Sequence, residues 1–201
     1  PVQGEGGIIP ADPEYLKGIR ALCDEHGILL IFDEVQTGVG RTGKFLAGDN
    51  FGKKADLTTL AKGLAGGVPI GVCLSGEKCA KVLTPGTHGS TFGGNPISCA
   101  GGLAVLNTVN KPGFLDEVAK KGDYFRKKLL TSPEVASVSG IGMMIGIELK
   151  NKKAGDVVKA ALDQGLLLLT AKTKVRLLPP LTITYEEIDN GLDILLGILN
   201  S

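Results

Sequence analysis

Two residues in the first third of the sequence, Asp33 and Lys62, are of types and in settings that could do chemistry. Asp33 closes the apolar run Ile28-Leu29-Leu30-Ile31-Phe32, and a carboxylate in that place loses its water unless something pairs with it. It could serve a strand-end salt bridge, cap a helix, ligate a metal or face a protonated heterocycle. Lys62 follows Leu57-Thr58-Thr59-Leu60-Ala61 and precedes Gly63-Leu64-Ala65-Gly66-Gly67, a glycine-rich loop on which a ligand can press close to the backbone. A lysine is ordinarily a solvated surface group. One desolvated in such a setting has a lowered pKa and attacks carbonyls. An imine-forming amine and an acid that can hold a pyridinium nitrogen are the two groups that pyridoxal 5'-phosphate (PLP) requires of a protein. The carboxylate keeps the ring nitrogen protonated, so that the ring accepts electrons. The lysine, once displaced by substrate, can carry a proton.

The elements that must position this pair are legible in outline. Asp12-Pro13-Glu14 reads as a helix start, with Asp12 as cap and Pro13 in the first turn, and Gly27 ends that helix. The run 28–32 fits a buried parallel strand, and ligands of open α/β sheets bind at the carboxyl ends of such strands. Residues 57–60 and 70–74 read as further strands, and 77–83 and 96–109 as helices. Lys111-Pro112-Gly113 is a break, which predicts a first domain over 1–110 and a second over 111–201. Beyond it the pattern predicts helices over 114–130 and 154–164 and strands over 135–138, 143–149, 166–169 and 175–178. Thr184 and Glu187 form a capping box for a last helix over 185–199. The alternation makes this an α/β protein.

Composition narrows the alternatives. A net charge of +1 gives no bulk field for nucleic acid or membrane surfaces, and 4% aromatic residues with no Trp leave little for base stacking. There is no apolar run near the length of a membrane span and no signal peptide. The four cysteines, Cys23, Cys73, Cys79 and Cys99, form no CxxC pair and no Cys/His cluster, so no metal is expected. Reduced, mostly buried thiols in a cytoplasmic protein are the plain expectation. The sequence opens on Pro1 in a loop, from which an N-terminal portion upstream of it is expected.

The motifs around the pair carry a resemblance. Pro1-Val2-Gln3-Gly4-Glu5-Gly6-Gly7, Leu30-Ile31-Phe32-Asp33-Glu34-Val35-Gln36-Thr37-Gly38, Gly40-Arg41-Thr42-Gly43, Ala61-Lys62-Gly63, His88-Gly89-Ser90-Thr91-Phe92-Gly93-Gly94-Asn95-Pro96 and Val175-Arg176-Leu177-Leu178-Pro179-Pro180-Leu181 resemble, in order, the class-III (subgroup II) PLP-dependent aminotransferases. The resemblance implies PLP fold type I, like aspartate aminotransferase, with residues 1–110 as the C-terminal part of the large PLP-binding domain and 111–201 as the small domain. It implies that Lys62 forms the Schiff base, that Asp33 pairs with the pyridinium nitrogen, that Val35 packs on the ring and that Gln36 hydrogen-bonds near the ring hydroxyl. It implies that Thr91, with Ser90 beside it, reaches the cofactor phosphate of a neighbouring subunit, which makes the active enzyme a homodimer with shared sites. Arg176 would bind a substrate carboxylate in two-pronged fashion, and Glu5 would pair with Arg176 so that one site takes a donor amine and then 2-oxoglutarate. The stretches 88–96 and 175–181 are most similar to the branch that converts N²-acetyl-L-ornithine and 2-oxoglutarate to N-acetyl-L-glutamate 5-semialdehyde and L-glutamate, in arginine biosynthesis. The branches that act on ornithine and 4-aminobutyrate share most of these residues.

Each role has a structural alternative. Val35 could be core, Gln36 could cap the Gly38 turn, Ser90-Thr91 could cap the helix from Pro96, Arg176 could make a surface salt bridge, and Glu5 could be solvated. His88 is assigned no task, and Arg41 is expected to fix its own turn. The chain departs from the family in Ala65, where a glycine is usual, which requires that residue 65 not need a positive φ. The family's upstream phosphate-binding glycine turn and ring-stacking aromatic have no counterpart here, so the 201 residues alone are expected to bind PLP poorly and be inactive. Two other classes compete: a P-loop nucleotidase, since Gly38-Val39-Gly40-Arg41-Thr42-Gly43-Lys44 fits GxxxxGK with Phe45 in place of Ser/Thr, and a non-catalytic dimerisation fragment.

Overall fold

In the computed structural model, which describes residues 1–201, the chain divides into two units that do not follow a single cut. The first comprises Pro1, Ala11–Gly40 and Lys44–Leu115. The second comprises Val2–Pro10, Arg41–Gly43 and Asp116–Ser201. The main change of unit thus falls after Leu115, a few residues beyond the break at Lys111-Pro112-Gly113, and two short early segments belong with the C-terminal residues. Local sequence cannot reveal such membership, because it is decided by long-range packing.

In the first unit, helix α1 (Pro13–Glu25) begins where Asp12 accepts the amides of Glu14 at 2.7 Å and Tyr15 at 3.4 Å. It ends at His26 and at Gly27, whose φ is +64°. Strand β3 (Ile31–Asp33) runs parallel to β4 (Leu57–Leu60), with Asp33 opposite Thr59, and β4 pairs antiparallel with β5 (Val72–Ser75). Asp56 guards the entrance of β4. It accepts the Leu30 amide and Arg20 Nη1, each at 2.8 Å, and sits 3.1 Å from Lys78 Nζ. The Leu30 amide, then Arg20, hold its carboxyl down at about 2. Helix α2 (Pro96–Val109) is capped by Asn95, which accepts the Ser98 amide at 2.9 Å. Val39, Leu60, Leu64 and Val109 form the buried core beneath.

Two expectations fail in this unit. Ile28, Leu29 and Ile31 are about half exposed, because β3 is the outer strand of its three-stranded sheet rather than a buried central one. Residues 77–83 make isolated turns, such as Cys79 N–H to Gly76 O at 3.0 Å, and not a helix. Only Cys79 of that stretch is buried, so no apolar face docks a helix, and Pro85-Gly86 stop the chain soon after.

The second unit is a four-stranded antiparallel sheet in the order β6-β7-β9-β8, built from β6 (Val135–Ile141), β7 (Met144–Leu149), β8 (Leu169–Ala171) and β9 (Lys174–Leu177). It packs with α3 (Phe114–Leu129), α4 (Ala154–Asp163) and α5 (Tyr185–Asn200) over a core that includes Met144, Ile145, Ile147, Val175, Ile188 and Leu195. Thr184 and Glu187 make the expected capping box on α5. The expected strand over 166–169 begins only at Leu169. The small hairpin of β1 (Val2–Gln3) and β2 (Ile9–Pro10) joins this unit through Val2 and Ile8, which cluster with Met144 and Ala171. Helix α3 comes so near the β6–β7 turn that a Cβ on Gly122 would lie 2.2 Å from the Gly142 carbonyl oxygen, so only glycine fits there.

Candidate active site

Asp33 and Lys62 leave the same edge of neighbouring parallel strands. Asp33 ends β3 opposite Thr59, and β4 continues through Leu60 and Ala61 to Lys62. Strands lie about 4.8 Å apart and rise about 3.3 Å per residue, which puts the two Cα atoms on the order of 10 Å apart, a span that two side chains and one ring between them can fill. Lys62 has φ +48°, a left-handed conformation that costs a non-glycine residue roughly 1–2 kcal/mol. The same conformation recurs at Ile8, Val39 and Lys172, so at Lys62 it gains meaning only beside the strand that ends in Asp33. Lys62 opens a short 3₁₀ turn, Lys62–Ala65, which ends at Gly66 with φ +63°. Ala65 is buried and keeps a negative φ, so its departure from glycine costs the turn nothing. Among these 201 residues nothing covers the Lys62 side chain, which is exposed at the sheet edge, so they do not supply the desolvation expected of it.

The turn after β3 is fixed by hydrogen bonds. Asp33 Oδ1 accepts the Val35 amide at 3.0 Å, the Glu34 amide donates to Thr59 O at 3.0 Å, and Gly38 N–H closes on Glu34 O at 2.9 Å. Gly38 must be glycine, since a Cβ would lie 2.9 Å from the Glu34 carbonyl oxygen as well as against the Leu60 side chain. Val35 is half-buried, and Gln36 Oε1 is buried without a hydrogen-bond partner, as is Thr37 Oγ1. Gln36 therefore does not cap the Gly38 turn through that oxygen. A buried orphan acceptor on the residue after Val35, the turn partner of Asp33, is a place where a ligand with its own polar atoms could bind.

Lys62 and Ser90 line one cavity of about 650 Å³, together with Gly67–Gly71 and Phe92–Asn95. Ser98 Oγ donates to Pro69 O at 2.8 Å and so ties the first turn of α2 to the cavity wall. Asp33, Val35, Gln36 and Thr91 are not among the lining residues; Thr91 is exposed. Ser90-Thr91 do not cap α2, a task that Asn95 performs.

In the second unit, β9 carries Arg176 between Gly146 of β7 and Leu169 of β8. Its side chain is 8% exposed, so it is no surface residue. Arg176 Nη1 makes a short ion pair with Glu5 Oε1, Glu5 is itself 70% exposed, and Arg176 Nε is buried with no acceptor. Arg41 does more than fix its own turn. Its Nη1 donates to Pro179 O at 2.5 Å and to Met143 O at 3.3 Å, and its carbonyl accepts the Met143 amide at 3.0 Å. Burial lowers the Arg41 guanidinium to about 10, which leaves it charged at neutral pH.

The P-loop alternative is excluded by the path of the chain. Val39 and Gly40 have positive φ, but after Lys44 comes only a five-residue 3₁₀ helix, Ala47–Phe51, where a P-loop requires the start of an α-helix on which the phosphates sit. The four cysteines are unpaired; Cys23 and Cys79 are buried, whereas Cys73 and Cys99 are exposed, against the expectation of mostly buried thiols. No helix is long and apolar enough to cross a membrane.

The α/β architecture is that of the PLP-dependent enzymes of fold type I, as its likeness to solved structures shows. The aminotransferase class-III family pattern matches residues 1–199. Acetylornithine aminotransferase of Haemophilus ducreyi is 52% identical over 200 residues, which cover 99% of this chain and 51% of that protein. The enzyme of the same name from Caldanaerobacter subterraneus is 50% identical over 204 residues, 52% of its length. Among solved structures, N-acetylornithine aminotransferase of Stenotrophomonas maltophilia superposes with TM-score 0.89 at 36% identity over 98% of this chain and 54% of that one. An ornithine aminotransferase of Toxoplasma gondii, described with PLP at partial occupancy, gives 0.90 at 36% identity over 99% of this chain and 49% of that one. The chain belongs to the class-III aminotransferases, a family that is PLP-dependent in general, and spans about half the length of the curated relatives it matches.

Proposed function

We propose that these residues are the C-terminal half of a PLP-dependent aminotransferase that moves the δ-amino group of N²-acetyl-L-ornithine to 2-oxoglutarate, giving N-acetyl-L-glutamate 5-semialdehyde and L-glutamate in the cytoplasm. The observation that carries the reading is Lys62, strained at the end of β4 beside the strand that ends in Asp33. The residues fit the cofactor: an amine for its aldehyde, a carboxylate for its ring nitrogen, an orphaned Gln36 oxygen and a glycine-rich wall. When bound, PLP supplies an electron sink for the carbon that bears the amine. Lys62 holds the cofactor covalently and, once displaced by substrate, moves the proton at that carbon. Asp33 keeps the ring nitrogen protonated, Val35 packs on the ring face, and Gln36 meets the ring hydroxyl. Ser90 and Thr91 are assigned to the phosphate of the partner subunit's cofactor, in a homodimer with shared sites.

Arg176 is assigned the carboxylate of 2-oxoglutarate. Once Glu5 leaves Nη1, the terminal nitrogens of the guanidinium can grip one carboxylate end-on, and Nε, buried without an acceptor, is a further donor. Glu5, exposed and on the β1–β2 turn, neutralises Arg176 when the acetylated donor enters and leaves it when the keto acid does. Residues 1–110 are read as part of the cofactor domain and 111–201 as the small domain. Ornithine as donor is the second reading, favoured by the likeness to the ornithine aminotransferase of Toxoplasma gondii, and rates with acetylornithine, ornithine and 4-aminobutyrate separate the possibilities. In the full-length protein, Lys62→Ala is expected to abolish the visible absorbance of the lysine-bound cofactor and to cut turnover by at least about 10⁴-fold, at or beyond the upper end for loss of a general acid–base group. Turnover near the wild-type rate refutes the role.

A further inference from the structure

Glu34, the residue after Asp33, is the most buried charged side chain of the chain, at 1% exposure. The charges that act on it are the Pro1 ammonium and the Asp49 carboxylate, of opposite sign, and neither is hydrogen-bonded to it. Its carboxylate instead accepts two backbone amides at the head of the Ala47–Phe51 turn: Oε2 takes the Ala47 N–H in a short hydrogen bond, and Oε1 takes the Gly48 N–H at 2.9 Å. Burial pushes the Glu34 carboxyl up, and the Gly48 and Ala47 amides oppose it. Only a carboxylate offers two acceptor oxygens to two such donors; an amide in its place would turn an N–H₂ toward one of them. The seat is closely packed and admits only glycine at 48: a Cβ there would lie 2.8 Å from Lys53 O and 3.0 Å from the Phe32 ring.

The backbone of the same residue holds the site. Glu34 N–H donates to Thr59 O on β4, three residues before Lys62, and Glu34 O accepts Gly38 N–H. The Val35 amide that donates to Asp33 Oδ1 is part of the peptide unit that Glu34 begins. Anything that moves the Glu34 side chain therefore moves the aim of Asp33 and its register with the lysine strand. We propose that Glu34 is a positioning residue of the cofactor site, clamped by the Ala47 and Gly48 amides so that its backbone aims the Asp33 carboxylate in register with the strand that carries Lys62. This rests on the assignment of Lys62 and Asp33 to PLP.

The test uses the full-length enzyme and its Glu34→Gln, Asp33→Asn and Lys62→Ala variants. Apoenzyme is titrated with PLP to give Kd, the pH midpoint of the lysine-bound absorbance band is measured, and the unfolding midpoint of the apoenzyme is recorded separately. Glu34→Gln is expected to raise the Kd for PLP about tenfold or more and to shift the pH midpoint in the same direction as Asp33→Asn, by a smaller amount. A merely structural Glu34 would lower the apoenzyme's unfolding midpoint and leave both cofactor readouts at wild-type values, and that result overturns the inference. If Glu34→Gln yields no folded apoenzyme, Glu34→Asp, which keeps the charge but shortens the reach, is read by the same two criteria. Persistence of the band in Lys62→Ala sinks the underlying assignment. Its loss there, with wild-type Kd and midpoint in the Glu34 variant, sinks only the role of Glu34.

Discussion

Lys62 and Arg176 are both cations assigned to small molecules, yet the chain prepares them in opposite ways. Lys62 is exposed, held by a strained backbone at a sheet edge, on a cavity walled by glycine-rich backbone. Arg176 is buried in the middle of an antiparallel sheet and already meets an anion, Glu5. The contrast follows from chemistry. An amine that must react with an aldehyde has to be free and aimed, and backbone geometry aims it. A permanent cation in a low-dielectric seat needs an anion at all times, and an exposed carboxylate on a hairpin is an anion that can leave.

The comparison breaks most readily at Arg176. In the full-length enzyme Arg176→Lys is expected to lower kcat/KM for 2-oxoglutarate about 10²-fold, since truncating one partner of a buried charge pair costs roughly 2–5 kcal/mol and lysine cannot reproduce the fork. Steady-state kinetics with varied 2-oxoglutarate reads this directly; an unchanged kcat/KM removes Arg176 from the substrate site. A smaller effect is expected from Glu5→Ala, because Glu5 is exposed and such pairs contribute about 1 kcal/mol or less. With Arg176 permanently uncovered, the ratio of kcat/KM for 2-oxoglutarate to that for the amino donor should rise several-fold. A ratio that stays constant makes Glu5 a mere surface partner.

The smallest effect concerns the scaffold of the lysine strand. Asp56, which accepts the Leu30 amide and Arg20, has its carboxyl lowered from the usual value near 4 to about 2. A depressed carboxyl contributes stability that is present above its unfolded pKa and lost as pH falls through the folded one, so the loss belongs between about pH 4 and pH 2. Asp56→Asn should flatten the pH dependence of the unfolding midpoint in that window and leave its slope near neutrality unchanged.

Local rules made much of the molecule legible. The Pro96 start of α2 and its length, the Asp12 cap of α1 and the Thr184–Glu187 box on α5 depend on neighbours within one turn, and the sequence displays them, whereas the Asn95 cap of α2 was passed over for Ser90-Thr91. Asp33 and Lys62 stood out because a short apolar run precedes each. What was hidden depends on distant partners. Nothing near Arg41 announces Pro179, nothing near Val2–Pro10 announces the C-terminal sheet, and the left-handed φ of Lys62 has no signal in a residue type that normally avoids it. Glu34 was read only as a companion of Asp33. Its place between an apolar strand and a turn was the available cue to a buried carboxylate. The stretch 77–83 misled because its composition suits a helix while its packing supplies no apolar face.

The central claim is that one amine of this chain, that of Lys62, bonds to the aldehyde of PLP. Borohydride reduction of the full-length enzyme loaded with PLP, followed by proteolysis and mass mapping, tests it most directly. The account predicts the phosphopyridoxyl group on the peptide that contains Lys62, in near-stoichiometric amount. The label on a different lysine, or none at all in an enzyme that still turns over, would contradict it.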